Sequence, residues 1–237
     1  MVGTPTAFAL SPLAAAPTGR APNVRSARRY LLATHDSVSG ILDVFGLARS
    51  EAARTKGTAA GRLSLDQVDL LRAAMVFTSS GLDATCHRLV RDVAPTLIGR
   101  GGTAKALFDL YVKDQLDQPR TPHGLLAAVT APDPRKALLD RYVLAKTAGS
   151  FQRSGDLQSR ARDLLGISKK VMPDARFAAL DDFFVARNRI VHQLDYMDPT
   201  GAKTARYHRA PLAVVSACDV VLAVASDLIA HTADLLR

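Results

Sequence analysis

The stretch SLDQVDLLRAAMVFTSSGLDATCHRLVRDVAP, residues 64–95, decides the fold class. Leu71, Met75, Thr78, Leu82, Thr85 and Leu89 recur at spacings of three and four, which lays them along one face of an α-helix. Ser64 or Asp66 supplies an acceptor for the helix start. Pro95, with no N–H and a ring that crowds the preceding turn, is expected to stop it. The other side carries Arg72, Ser79, Ser80, Asp83 and His87, so this helix is apolar toward a core and polar toward something else.

Working outward, the same period predicts helix after helix. One is expected from about Val24 to Phe45, followed by a loop of Gly, Thr, Lys and Ala to Leu63. Others fit Ala104–Gln115, Pro134–Phe151 and Leu157–Leu165, with a Pro-rich turn at Pro119–Pro122 between the first two. Asp174 caps a helix that is expected to run to Tyr196, and Asp198-Pro199-Thr200-Gly201 is a turn. Pro211 opens a last apolar helix to Leu236. Val214–Val224 is rich in valine, yet its length, its alanines and Asp219 favour a buried helix over a strand. No strand pattern, Gly-rich nucleotide loop or internal repeat is visible, and the fold class is all-α.

Residues 1–23 read as a disordered N-terminal arm, because Pro5, Pro12, Pro17 and Pro22 punctuate Ala, Thr and Ser without a period. Residues 24–237 are expected to form a single helical domain. Its apolar runs look too interrupted by Asp and Lys for a membrane span, and no secretory leader is apparent, so a cytoplasmic setting is expected. Cys86 and Cys218 are too few for a disulfide framework or a thiolate zinc site and are expected to fill helix interiors. The six histidines are scattered, which predicts no metal and no cofactor. A net charge of +9 favours polyanionic partners. Aromatics are only 5% with no Trp, which disfavours a single-strand binder built on many stacking platforms.

The chemistry concentrates in Arg187-Asn188-Arg189-Ile190-Val191-His192. On the Asp174 helix, Phe177, Leu180, Phe184, Val191 and Leu194 would form an apolar stripe with Arg187 in its middle. A guanidinium there is costly unless it is paired or reaches water, and Asp83 is the candidate carboxylate. His192 lies about 140° around the helix from Arg187 and roughly 7.5 Å along it. Asn188, His192 and Asp195 are expected to share a face. An Arg for phosphate oxygens, a His for proton transfer and the 2′-hydroxyl that RNA carries itself make a nuclease site without a metal. One helix offers only half of such a site, so a two-fold homodimer with a composite active site is expected.

Arg187 to His192 resembles the R-x4–6-H signature of HEPN domains in its RNxxVH form. The helix from Leu70 to Leu89 is similar to the first core helix of the RiboL-PSP branch of that family. The resemblance spans roughly residues 64–236. It implies an up-and-down helical bundle with extra helices, and a metal-independent endoribonuclease of toxin–antitoxin, abortive-infection or antiviral systems with an antitoxin or immune partner. It implies Arg187 and His192 as catalytic and Asn188 beside them. Asp83, Arg72 and Ser79 are the supporting candidates, Arg72 as a phosphate contact and Ser79 as pocket lining. The family's acidic residue in that first helix is usually Glu, and Asp83 is one methylene shorter. A catalytically silent HEPN-like module that binds RNA, nucleotide or a partner protein is the second reading, and a plain helical regulatory protein the third. Specificity is expected to lie in the insertion between Gly99 and Ser168 and in the basic arm.

Overall fold

The computed structural model describes residues 8–15, 22–56, 61–120 and 122–237. The helices of the described residues run in the order α1 (Pro22–Lys56), α2 (Leu65–Arg100), α3 (Gly102–Leu116), α4 (His123–Val129), α5 (Pro134–Lys146), α6 (Ser154–Asp156), a π-helical continuation (Leu157–Asp163), α7 (Asp174–Ala178), α8 (Asp181–Gln193) and α9 (Pro211–Leu235). The chain is therefore all-α, as its periodicity requires. The one extended pairing among the described residues is an isolated antiparallel bridge between Tyr196 and Arg206.

Three long helices make the core. α2 opens on a capping box, with the Ser64 hydroxyl accepting from the Gln67 N–H and the Gln67 side chain accepting from the Ser64 N–H. Its face Leu71, Met75, Thr78, Leu82, Thr85 and Leu89 is buried, as the spacing predicts. Gly81 lies against Thr34 of α1, and a Cβ there would come within 2.0 Å of the Thr34 hydroxyl. The missing side chain is what lets α1 and α2 approach so closely.

α2 does not stop at Pro95. It continues to Arg100 and ends at Gly101, whose φ of 97° suits glycine. An interior proline costs a helix about 3 kcal/mol. Beyond it Leu97 and Ile98 are buried, and burying two such side chains contributes about as much.

α9 lies against α1 and α2, with Cys218, Val221, Leu222, Val224, Ala225, Leu228 and Ile229 buried. It ends at Leu235, one residue from the expected Leu236, but departs from the expectation that the apolar runs are too interrupted for a membrane span. By length and composition it is sufficient to cross a membrane, with a mean hydropathy of 2.1 over its most apolar window. In this structure 56% of that window is buried inside the protein, and a core helix passes the same test.

Further boundaries differ from the sequence expectation, and α5 ends at Lys146 and not at Phe151. α1 extends to Lys56, and a short helix, α4, follows the Pro-rich turn. The expected disordered arm is docked where it is described. Phe8 meets Phe45 edge-on, Leu10 is buried, and Asp219 of α9 accepts from both the N–H and the hydroxyl of Ser11. A proline-punctuated composition does not show that an aspartate 208 residues away will hold the segment. The rest of that arm, residues 1–7 and 16–21, lies outside the described residues.

Candidate active site

The helix carrying the RNxxVH segment is shorter than its pattern suggests. α7 and α8 are separate helices with a break at Ala179 and Leu180. Two arginines fix this region. Arg162, 1% exposed, donates to Asp163, to Asp174 at the start of α7 and to the Met172 carbonyl. Arg176 of α7 donates to Asp227 of α9 through Nε at 3.0 Å and Nη2 at 2.7 Å. Phe177, Leu180, Phe183, Phe184, Ala186 and Ile190 then bury one side of α7 and α8.

That side is rotated from the expected stripe. Val191 and Leu194 are 42% and 60% exposed, and Arg187 is half-buried at the edge of the packed face. The reason is the helix break, which resets the phase so that Phe183 and Ile190 take the core positions.

Arg187 donates from Nη1 to the Asn188 side-chain oxygen at 3.0 Å. Its Nε is buried and has no hydrogen-bond partner among the described residues. No carboxylate lies within ion-pair distance of it there. Asp83, the expected partner, accepts instead from the Phe151 N–H at 2.6 Å and sits 3.6 Å from His87 Nε2. Its carboxylate is taken up by the loop after α5. Asn188 thus positions Arg187, and its side chain is half-buried while His192 is exposed.

The expected face of Asn188, His192 and Asp195 loses its third member. α8 ends at Gln193, and Leu194 and Asp195 both adopt the left-handed conformation, with φ of 49° and 62°. The Arg189 carbonyl accepts from the N–H of both residues. The reversal swings Asp195 into the protein, where it is fully buried.

There Asp195 meets Arg72 of α2. Arg72 donates from Nε to Asp195 at 3.0 Å, from Nη1 to Asp69 at 2.7 Å and from Nη2 to the Tyr207 carbonyl at 3.3 Å. Arg209 holds Asp195 from the other side, through Nε at 2.9 Å and through Nη2. Arg72 is 6% exposed, so it is a buried structural cation and not the phosphate contact the sequence suggested. Ser79 is fully buried, and its hydroxyl has no hydrogen-bond partner among the described residues. It faces the interior and does not line an open pocket.

Sequence reasoning missed Asp195 as a structural anchor, and Arg209 and Tyr207 altogether. The only signal for it was a helix running into Leu194-Asp195 with no glycine to end it, since Asp tolerates the left-handed region better than most residues. Among the described residues there is no group of three or more His, Cys, Asp or Glu able to hold a metal. The two thiols are buried, as expected. Burial pushes Cys218 up to about 11, and burial raises Cys86 further. Comparison with protein-family models, curated proteins and solved structures gave no match.

Proposed function

We propose that the chain is a HEPN-type endoribonuclease that cuts single-stranded RNA without a metal, with Arg187 and His192 as catalytic residues and Asn188 as the positioning residue. The observation that carries this reading is the state of Arg187. Its guanidinium is half-buried, is held by a neutral amide and has no carboxylate partner among the described residues. Such a cation keeps its charge for an incoming anion. His192, exposed on the last turn of the same helix, is reachable by that anion.

The reaction follows from these groups. The 2′-oxygen attacks the adjacent phosphorus as a base takes its proton. The new P–O2′ bond forms, the P–O5′ bond breaks, and an acid protonates the leaving 5′-oxygen. The products are a 2′,3′-cyclic phosphate and a 5′-hydroxyl. Arg187 stabilises charge on the non-bridging oxygens, and His192 serves one of the two proton transfers. The other comes from His192 of a second copy in a two-fold homodimer, which makes the active site composite. A cytoplasmic toxin or antiphage effector, held in check by an antitoxin or immune partner, is the role that suits such chemistry.

The test is incubation of the protein with single-stranded RNA in EDTA, scored for ends carrying 2′,3′-cyclic phosphate. His192→Ala and Arg187→Ala should each lower the rate about 10²–10⁴-fold. A mixed dimer of a His192→Ala chain and a wild-type chain should cut about as slowly as the His192→Ala dimer, because it holds only one His192. An inert wild type, or variants that cut as well as it does, overturns the nuclease reading and leaves the silent binding module.

A further inference from the structure

We infer that the cleft where α8 ends is the binding site for the phosphates of a single RNA strand, flanking the nucleotide cut at Arg187 and His192; the link to cutting rests on the nuclease reading above, but the binding does not. The cleft measures about 770 Å³ and is lined by Arg62, Arg72, Tyr196, Arg206, Tyr207 and His208. That volume is in the range of sites that hold a nucleotide-sized group.

Its charge is unbalanced toward cations. Arg72 and Arg209 share Asp195, while Arg72 and Arg206 share Asp69, so three guanidinium groups face two carboxylates. Arg62 and Arg189 add two more charges, and neither has a carboxylate partner among the described residues. Arg62 and His208 are exposed, which leaves their donors open to a ligand. The buried pairs do a different task. They hold Arg206 and the backbone at Tyr207 in place, which fixes one wall of the cleft.

Two aromatic rings complete the wall. The Arg206 guanidinium lies 5.1 Å over Tyr196, and Tyr207 has Arg189 at 4.7 Å and Arg209 at 5.9 Å. The residues are tied to each other by the Tyr196–Arg206 bridge, by Met197 N–H to the Ala205 carbonyl and by Tyr207 N–H to the Asp195 carbonyl. The tyrosine rings hold these guanidinium groups in place by cation–π contact, with their donors available to the phosphates of a strand. Arg189 connects this wall to the catalytic segment. It belongs to α8, three residues before His192, and stacks on a ring of the cleft. A strand with its scissile phosphate at His192 therefore has the cleft beside it.

The test uses the full chain and a fluorescein-labelled 2′-O-methyl RNA, which lacks the nucleophile and is not cut. Arg62→Ala/His208→Ala removes two exposed side chains, and its thermal melt should match that of wild type. The expected result is a Kd raised about tenfold and a shallower dependence of log Kd on log salt, by about 0.7 for each phosphate that is no longer neutralised. His192→Ala should bind this probe as wild type does. A cleft variant that binds as tightly as wild type overturns the inference, as does wild type that fails to bind the probe. A thermal melt raised by AMP or inorganic phosphate, with no binding of the oligonucleotide, also overturns it, since the cleft would then serve a free nucleotide or phosphate. If wild type binds the probe through the cleft but cuts no RNA, the nuclease reading fails and the cleft stands.

Discussion

Arg72 was read on the polar side of α2 and Arg187 inside an apolar stripe, and the structure buries and pairs the first while leaving the second half-buried without a carboxylate among the described residues. Around Arg72 every direction is answered. Asp195, Asp69 and the Tyr207 carbonyl take its donors, and Arg209 completes the far side of Asp195. Around Arg187 the only partner among the described residues is a neutral amide oxygen, and Nε is left without one. A cation neutralised on all sides joins two parts of a fold, here α2 and the end of α8. A cation left unneutralised at the edge of a packed face contributes little to the fold, and its charge stays open to an anion.

The largest effect should come from breaking the satisfied site. Asp195→Ala leaves two guanidinium groups facing each other in a buried space, and removing one partner of a buried pair costs about 3–5 kcal/mol. Arg72 keeps Asp69, so a loss near about 3 kcal/mol of unfolding free energy in urea is expected. Arg72→Met in the same background should recover part of it, because the stranded charge is gone. A loss under about 1 kcal/mol would mean that Asp195 is not the anchor.

The unsatisfied site should answer with a much smaller stability change. Arg187→Ala removes one hydrogen bond to a neutral group and also a buried N–H that has no acceptor, two effects of opposite sign. The unfolding midpoint should move by less than about 1 kcal/mol equivalent, while cutting falls by orders of magnitude. A stability loss as large as that of Asp195→Ala would erase the contrast between the two arginines and make Arg187 a structural residue.

Much of the fold was legible because it rests on local period. The buried face of α2, a cap at its start on Ser64 or Asp66, the helix of Pro211 and the turn at Asp198 could all be read from spacing. At that turn, the Gly201 N–H donates to the Asp198 carboxylate at 2.9 Å. The errors share a different cause. The end of α2 depended on burial of Leu97 and Ile98, not on Pro95 alone. The docking of Ser11 depended on Asp219, and the fate of Arg72 on a carboxylate 123 residues away. Pairings of that length leave no trace in a periodic pattern. The site was half legible for the same reason. Arg187, Asn188 and His192 share one helix and could be placed by counting, whereas the partner of Arg187 had to be guessed, and Asp83 was the wrong guess.

The true partners of Asp83 supply the last and smallest prediction. Asp83 holds the Phe151 N–H, and His87 packs edge-on against the Phe151 ring at a centroid distance of 4.9 Å. Burial lowers the pKa of His87 from its ordinary value near 6.5. Asp83 opposes that shift, while Arg91 and Arg160 add to it. Because the native pKa lies below the unfolded one, the unfolded chain takes up a proton first as the solution is acidified. Stability should hold above about pH 6.5 and fall as the pH drops through the window below it, until the native His87 is also protonated. His87→Phe keeps an aromatic ring against Phe151 and removes the proton site, so its stability curve should be flatter between about pH 7 and pH 5. Urea midpoints for both proteins across that range measure the difference. Parallel curves would show that His87 is solvated like a free histidine, and would reopen the question of what Asp83 faces, including Arg187.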